Sequence, residues 1–392
     1  MVRLVFTADN HLSKYYSRMT FDQLTKRRER LREAWRRTVD YALESRADFY
    51  LHGGDLFDTP TPRNADLVAV LTQLKRLHEA GVQVYMIGGN HDVPRSRSEG
   101  VTPQRIYDEG GQARLFHRFS RVEWEVHEVD GLRLAIGGLP SDPRLERDDD
   151  PLADIENLEP PPDADRAVLM LHYAIEGFLL DNVNEPVIPK ASIAALRRID
   201  LLLVGHVHER KVTTIGSVQV AFSGPTERMS FGELGVKTGF VEAVISRDGV
   251  KVRHHDIAPQ PMRRDELRTT NLPPDDPTDA LKDFIAARSS QDQLYQLRLV
   301  GPLSLDTYRR LDWPAVRALG ADTNFYFDLD RDKVYLSQGE AVEVAGGGER
   351  VSARAEIEAV AAALLAVTED DDERDLLREA RDVALLRYRG EG

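Results

Sequence analysis

The sequence predicts an α/β fold, a two-sheet sandwich flanked by helices, followed by a small α/β capping domain and a C-terminal helical tail. Three observations predict it. Short, nearly unbroken apolar runs recur with helical stripes between them, most of these runs stop at a polar motif, and a proline-rich stretch and then a glycine triplet divide the rest of the chain.

The runs at 2–6, 48–51, 82–87, 167–171 and 201–204 are short and largely aliphatic or β-branched, as suits strands covered on both faces. Between the first two, Leu31, Ala34, Trp35, Thr38, Val39 and Ala42 form the stripe of a helix lying on a sheet. Between the second and third, Leu67, Val70, Leu71, Leu74 and Leu77 repeat it, with Thr61-Pro62 as the expected cap and first turn. Strand, helix, strand, helix, strand implies right-handed parallel crossovers. Past residue 208, paired runs at 212–215, 218–222, 239–245 and 250–256 predict antiparallel strands flanking the sheet, and with 133–137 they predict the second sheet. The acidic, proline-rich stretch 148–165 reads as a surface loop.

Five of the runs end in chemistry-bearing residues: Asp9-Asn10-His11, Gly54-Asp55-Leu56-Phe57-Asp58, Gly89-Asn90-His91-Asp92, a lone His172, and Gly205-His206-Val207-His208. Open α/β sheets build their sites where strands stop. The alternation in Asp9-x-His11 and His206-x-His208 places each pair on one face of an extended segment. Two carboxylates, an amide oxygen and four imidazoles are hard-to-borderline donors, suited to Mn, Fe or Zn, and a chain with no cysteine has no thiolate ligand. Seven donors exceed one ion's need, so two ions about 3.5–4 Å apart, bridged by a carboxylate such as Asp55, are expected. Such a centre hydrolyses phosphoesters, and two carboxylates against two divalent ions leave it net positive in a chain of net charge −14.

This motif set resembles the calcineurin-like metallophosphoesterase superfamily, and within it the SbcD-type DNA double-strand-break repair nucleases. The resemblance is strong from residue 1 to about 257 and weaker beyond. It implies that Asp9, His11, Asp55 and His208 hold one ion and Asp55, Asn90, His172 and His206 the other. It implies two divalent ions, most often Mn, with His91 over the scissile phosphate as a catalytic residue and Asp92 placed to orient its ring. Archaeal and eukaryotic relatives tend to carry His where this chain has Asp58, so that histidine's role does not transfer. Asp58 is read either as an acceptor behind a ligand or as a loop cap. The other histidines, His52, His78, His117, His127, His254 and His255, match no motif and are read as packing or surface residues.

The expected division is 1–258 for the metallophosphoesterase domain, 259–345 for the cap and 346–392 for a flexible joint with a C-terminal helical segment. Five prolines between 259 and 277 mark the first boundary, a stretch read as neither helix nor central strand. Helices over 279–288 and in pieces over 305–319, with strands at 296–300 and 324–329, make the cap. After Gly346-Gly347-Gly348, Ile357, Val360, Ala361, Leu364 and Leu365 form one stripe and Leu376, Leu377, Ala380, Val383 and Ala384 another, with Thr368 and the acids at 369–373 suited to a helix start. The resemblance implies that these helices dock an SbcC-like coiled-coil ATPase; packing on their own domain is the alternative. It also implies DNA as substrate and a homodimer. Lys14, Arg18, Arg63, Arg95, Arg97, Arg210, Lys211 and Arg228 lie in loops near the motifs without forming a dense basic patch, which predicts weak DNA affinity for the chain alone. No apolar run nears the roughly 20 residues that span a bilayer, and the expected setting is cytoplasmic, with no membrane. Two other readings stay open: a small-molecule phosphodiesterase or phosphatase using the same chemistry, and a non-catalytic DNA-end scaffold.

Overall fold

In a computed structural model, the described residues are 1–96, 100–178, 185–337, 353–368 and 371–387. They belong to two compact units, Met1–Ser337 and Gln338–Gly392.

The first unit is built on two six-stranded sheets. One runs Gly249–Asp256, Gly239–Ser246, Val2–Thr7, Phe49–Gly53, Gln83–Ile87, Arg114–Phe116, with the last four strands parallel and the first two added antiparallel. The other runs Lys211–Ile215, Val218–Phe222, Leu201–Gly205, Arg166–His172, Leu132–Leu139, Glu123–Val129, parallel through its four central strands. Their facing sides fuse into one core, where Phe6, Leu51 and Ile87 meet Ile136, Met170 and Leu203. On the far side of the first sheet, Leu31, Trp35 and Val39 of helix Phe21–Glu44 and Val70, Leu74 and Leu77 of helix Asn64–Glu79 form a second apolar layer. Both faces of the sheet are thereby covered, which is why its strands read as continuous apolar runs.

The late strands form the expected hairpins and the sandwich has its two sheets: the hairpin ending at Phe222 edges one and the hairpin ending at Asp256 edges the other. One expectation is corrected. Helix Asn64–Glu79 has no Thr61 cap, because Thr61 pairs with Thr59 and the Arg63 amide at the helix start donates to Ser13 Oγ at 3.0 Å. Ser13 in turn donates to the buried Asp66 at 2.7 Å, so a residue fifty positions away ties down the helix start without a side-chain cap.

The proline-rich stretch holds a strand. Met262–Arg268 lies between Pro261 and Pro273, and it edges a parallel three-stranded sheet with Leu294–Ser304 and Tyr326–Ser337. Helices Pro277–Ala286, Leu305–Arg310 and Trp313–Thr323 accompany it, around a core of its own containing Leu281, Ile285, Tyr295, Leu297 and Val316. Helix Phe21–Glu44 and the loop before it grip this small layer: Gln23 Nε2 donates to the Phe325 carbonyl at 2.8 Å, Arg18 in the loop pairs with Asp328 at 3.2 Å, and buried Arg27 donates to Gln260 at 2.9 Å.

In the second unit, helices Ala353–Val367 and Asp371–Arg387 carry the two expected stripes. The glycine triplet lies outside the described residues, as do Glu369 and Asp370. No described helix is long and apolar enough to cross a membrane.

Leu203 is fully buried between the sheets. Leu203→Ala is expected to cost about 2–5 kcal/mol in urea unfolding, and a loss below about 1 kcal/mol would show that this seam is not the core of the sandwich.

Candidate metal centre

The expected site residues converge at the ends of the parallel strands. Asp9 and His11 follow Val2–Thr7, Asp55 follows Phe49–Gly53, Asn90 follows Gln83–Ile87, His172 ends Arg166–His172, and His206 and His208 follow Leu201–Gly205. The backbone there is not extended, contrary to the alternation argument. Asp9, His11, Asp55 and His206 all adopt positive φ, at 56, 46, 54 and 79°. Non-glycine residues avoid this region, and their clustering in one place marks a functional site. Cross-bracing holds it: the Asp9 amide donates to Gly54 O, those of Asn10 and His11 to Asp55 O, and that of Leu12 to Leu56 O, at 2.9–3.1 Å. Glycines make the close approach. Gly54 has φ 94°, a Cβ there would strike the His172 ring, and a Cβ on Gly89 would strike Asp55.

Each imidazole has one nitrogen turned outward onto an acceptor. His11 Nδ1 faces Asp58 Oδ1 at 3.1 Å, His172 Nδ1 faces Gly53 O at 2.6 Å, His206 Nε2 faces Glu185 Oε1 at 2.9 Å and His208 Nδ1 faces Glu233 Oε1 at 2.8 Å. A carbonyl or carboxylate can only accept, so the outward nitrogen carries the hydrogen and the neutral ring points its lone pair inward. Those lone pairs meet acceptors. His11 Nε2 and His208 Nε2 stand 3.1 Å apart, and His172 Nε2 and His206 Nδ1 lie 3.1 and 3.0 Å from Asn90 Oδ1. Asp55 Oδ2 sits 3.3 Å from His172 Nε2 and 3.8 Å from His11 Nε2, between the two groups. Asp9 Oδ2 is buried with no hydrogen-bond partner, while Asp9 Oδ1 accepts from the His206 amide at 2.9 Å.

Acceptors facing acceptors in a buried cluster repel unless a cation or a proton lies between them. The titration directions say the same. Burial alone lowers an imidazole pKa, but Asp55 outweighs it at His172, raising that group to about 9, and Glu233 with Asp9 raises His208. Asp55 is held far below the carboxylate range, burial being overcome by His172. The donor set thus fits divalent cations, and groups such as Asp9 with His11 and His208, or Asp9 with Asp55 and His172, have ligand atoms all within 4.8 Å of one another.

Asp92 is a correction in place and partner. Its carboxylate accepts the amides of Gly89, Leu56 and Phe57 and the Gln104 side chain, and so fastens two motif loops together. The carboxylate near the half-exposed His91 ring is Asp58, 3.7 Å from Nδ1, itself held by Lys14 at 2.8 Å. His91 stands edge-on to His11, ring centres 4.7 Å apart, and its amide donates to Asp55 Oδ1 at 2.9 Å. Burial lowers its pKa more than Asp55 restores it. Of the unmatched histidines, buried His52 braces the site by bonding Asn10 Oδ1 at 2.6 Å, whereas His127, His254 and His255 pair with Tyr85, the Phe222 carbonyl and Glu242. Sequence reasoning missed Glu185 and Glu233, which stand in no motif. Of the proposed DNA-contacting cations, Arg210 pairs with Asp256, Arg228 bonds the Val236 carbonyl and Lys211 lies over Phe178, while Arg97 is outside the described residues.

The family model of calcineurin-like phosphoesterases matches residues 2–210, more than half of the chain. The chain belongs to the calcineurin-like phosphoesterase family. The DNA double-strand break repair protein Mre11 of Haloferax volcanii is 28% identical over 341 residues, covering 85% of this chain and 69% of that protein. The protein of the same name from Thermoplasma acidophilum is 28% identical over 232 residues, 58% of this chain and 57% of its own length. The chain thus spans little more than two thirds of one relative and less of the other. A dimetal phosphatase from Danio rerio aligns at 13% identity over 65% of this chain and 96% of that one, with a TM-score of 0.41. The family resemblance read from the motifs is what these comparisons find.

Two outcomes are expected in calorimetric Mn titrations. Glu233→Ala, which frees the outward nitrogen of His208, should weaken binding about 10- to 100-fold, and unchanged affinity would remove Glu233 from the centre. Since the raised His172 keeps its proton between about pH 6.5 and 9 in the ion-free protein, Mn must displace that proton, and apparent affinity should climb with pH across this window. A flat profile would contradict the proton assigned to His172 in the ion-free protein.

Proposed function

We propose that this chain is a Mn-dependent DNA nuclease whose two-metal centre hydrolyses phosphodiesters, working as the nuclease subunit of an SbcC–SbcD-like repair complex. The observation that carries the reading is the set of four inward-facing imidazole nitrogens converging with Asp55, Asn90 and the orphaned Asp9 oxygen. Asp9, His11, Asp55 and His208 would hold one ion and Asp55, Asn90, His172 and His206 the other, with Asp55 shared. Bound there, divalent ions supply Lewis acidity, an acidified water and a clamp on the phosphoryl oxygens.

The chain's own residues do the rest. His91, at the open mouth with its backbone anchored to Asp55, faces the side from which the sugar oxygen departs and delivers a proton to it. Asp58, shared by His11, Lys14 and His91, sets the ring's position, and Lys14 adds a positive charge at the mouth. The reading of DNA as substrate is supported by the kinship with Mre11 repair proteins over most of the chain.

Two partners belong to the same proposal. Val68, Val101 and Ile106 are more than half exposed, and the Tyr107 hydroxyl bonds the Leu67 carbonyl at 3.1 Å, which holds helix Arg105–Glu109 against helix Asn64–Glu79. Apolar side chains left outside on two packed helices and the loop before the second fit a homodimer interface. In the second unit, Val360 and Leu376 are exposed on helices with apolar stripes, which supports docking of a coiled-coil ATPase there.

Purified chain with Mn should cut labelled DNA, and His91→Asn should lower turnover by about 10²- to 10⁴-fold while leaving Mn affinity near wild type. Hydrolysis of cyclic nucleotides or chromogenic monoesters with none of DNA, even with the ATPase present, would move the assignment to a small-molecule phosphodiesterase. DNA-end binding without any hydrolysis would make the chain a scaffold. In sedimentation, Val68→Glu with Ile106→Glu should shift a dimer to monomer, and an unchanged dimer would place the interface elsewhere.

A further inference from the structure

A cavity of about 320 Å³ opens between the loop after the first motif, the turn around residue 230 and the starts of the three strands of the small sheet. Its walls are aromatic and thioether: Tyr15, Tyr16, Phe231 and Tyr326, with Met229 beneath and Arg18 at the side. Resting on the nuclease reading above, we propose that this cavity takes one unstacked nucleobase of the strand being cut.

Position comes first. Phe231 and Glu233 share one short 3₁₀ turn, and the Glu233 carboxylate accepts both from His208 Nδ1, at 2.8 Å, and from the Met229 amide, at 2.6 Å. One rigid turn therefore carries a cavity wall on one end and the carboxylate behind a metal-ligand candidate on the other. The opposite wall begins four residues after His11. A phosphate at the centre and a base in the cavity would thus be held by the same turn and the same loop.

The floor is fixed. Arg27, fully buried, lies 5.7 Å from the Tyr16 ring centre, pairs with Glu227 at 3.2 Å and donates to Gln260 at 2.9 Å. Tyr16 thus has beside it a charge that is already balanced. Tyr15, by contrast, is 67% exposed and free to close over a ring.

Chemistry selects the occupant. Aromatic faces and methionines make up most of the lining and offer stacking surface, with Ser17, Ser230 and Asp328 as its few polar groups besides Arg18 and Arg27, so stacking rather than base-edge reading dominates. Stacking also gives affinity without a basic groove, which suits a chain of net charge −14. The cations nearby are available for phosphate: Arg18 is largely exposed and its pair with Asp328 contributes little, and Arg264 stands 6.0 Å from the Phe231 ring. A base enters only after leaving its duplex stack, so the site favours single-stranded or opened DNA.

The test compares an oligothymidylate with a base-free tetrahydrofuran phosphate oligomer of the same length, both with Mn and the full chain. Wild type should cut the base-bearing strand about five- to 150-fold more efficiently in kcat/KM. Tyr15→Ala and Phe231→Ala should each erode that preference while leaving cleavage of the base-free oligomer unchanged, which also shows that the variants are folded with an intact centre. Equal losses on both oligomers, or an unaltered preference, would overturn the base site. A wild-type chain that cuts neither oligomer yet hydrolyses bis-p-nitrophenyl phosphate would instead overturn the nuclease reading on which the site rests.

Discussion

The structure depends on where each histidine puts its hydrogen. Four outward acceptors, Asp58, Gly53 O, Glu185 and Glu233, take the N–H of His11, His172, His206 and His208, and this alone aims four lone pairs at two carboxylates, an amide oxygen and one another. An isolated cluster of that kind is unstable in a buried setting. The fold tolerates it because a proton on His172, whose pKa is raised to about 9, stands in for a cation, and it yields a cation site because that proton is displaceable.

The sandwich supplies the rigidity this requires. Strands from two sheets end side by side, with His172 paired in register to Gly205, and the loops beyond them are tied by backbone bonds between the Asp9 and Asp55 segments and by the amide-filled carboxylate of Asp92. Four of the ligand candidates sit at positive φ. They follow strands whose side chains are buried in the apolar layers on the faces of the two sheets. Strain at the rim and packing beneath it are two sides of one arrangement.

Much of this was legible in the sequence. The parallel strands, both long helices and all seven ligand candidates were readable because an apolar run ending in a polar motif records burial and strand termination together. The geometry of Asp9 and His11 was not, since residue alternation describes extended backbone and these residues are left-handed. The role of Asp92 was misread because adjacency to His91 in sequence says nothing about which way a buried carboxylate turns; it faces backbone amides that no motif announces. Glu185, Glu233 and the Ser13 tie to Arg63 were illegible for the same reason, being contacts across 21 to 50 positions by lone polar residues. The strand Met262–Arg268 was hidden by prolines that flank it without interrupting its ladder.

The most direct test of the account is anomalous diffraction from crystals soaked in Mn. The account predicts two peaks about 3.5–4 Å apart, one on each side of the Asp55 carboxylate, with the inward nitrogens of His11 and His208 on one and of His172 and His206 on the other. A centre without peaks, or a single ion that leaves Asp9 or Asn90 unligated, would contradict it.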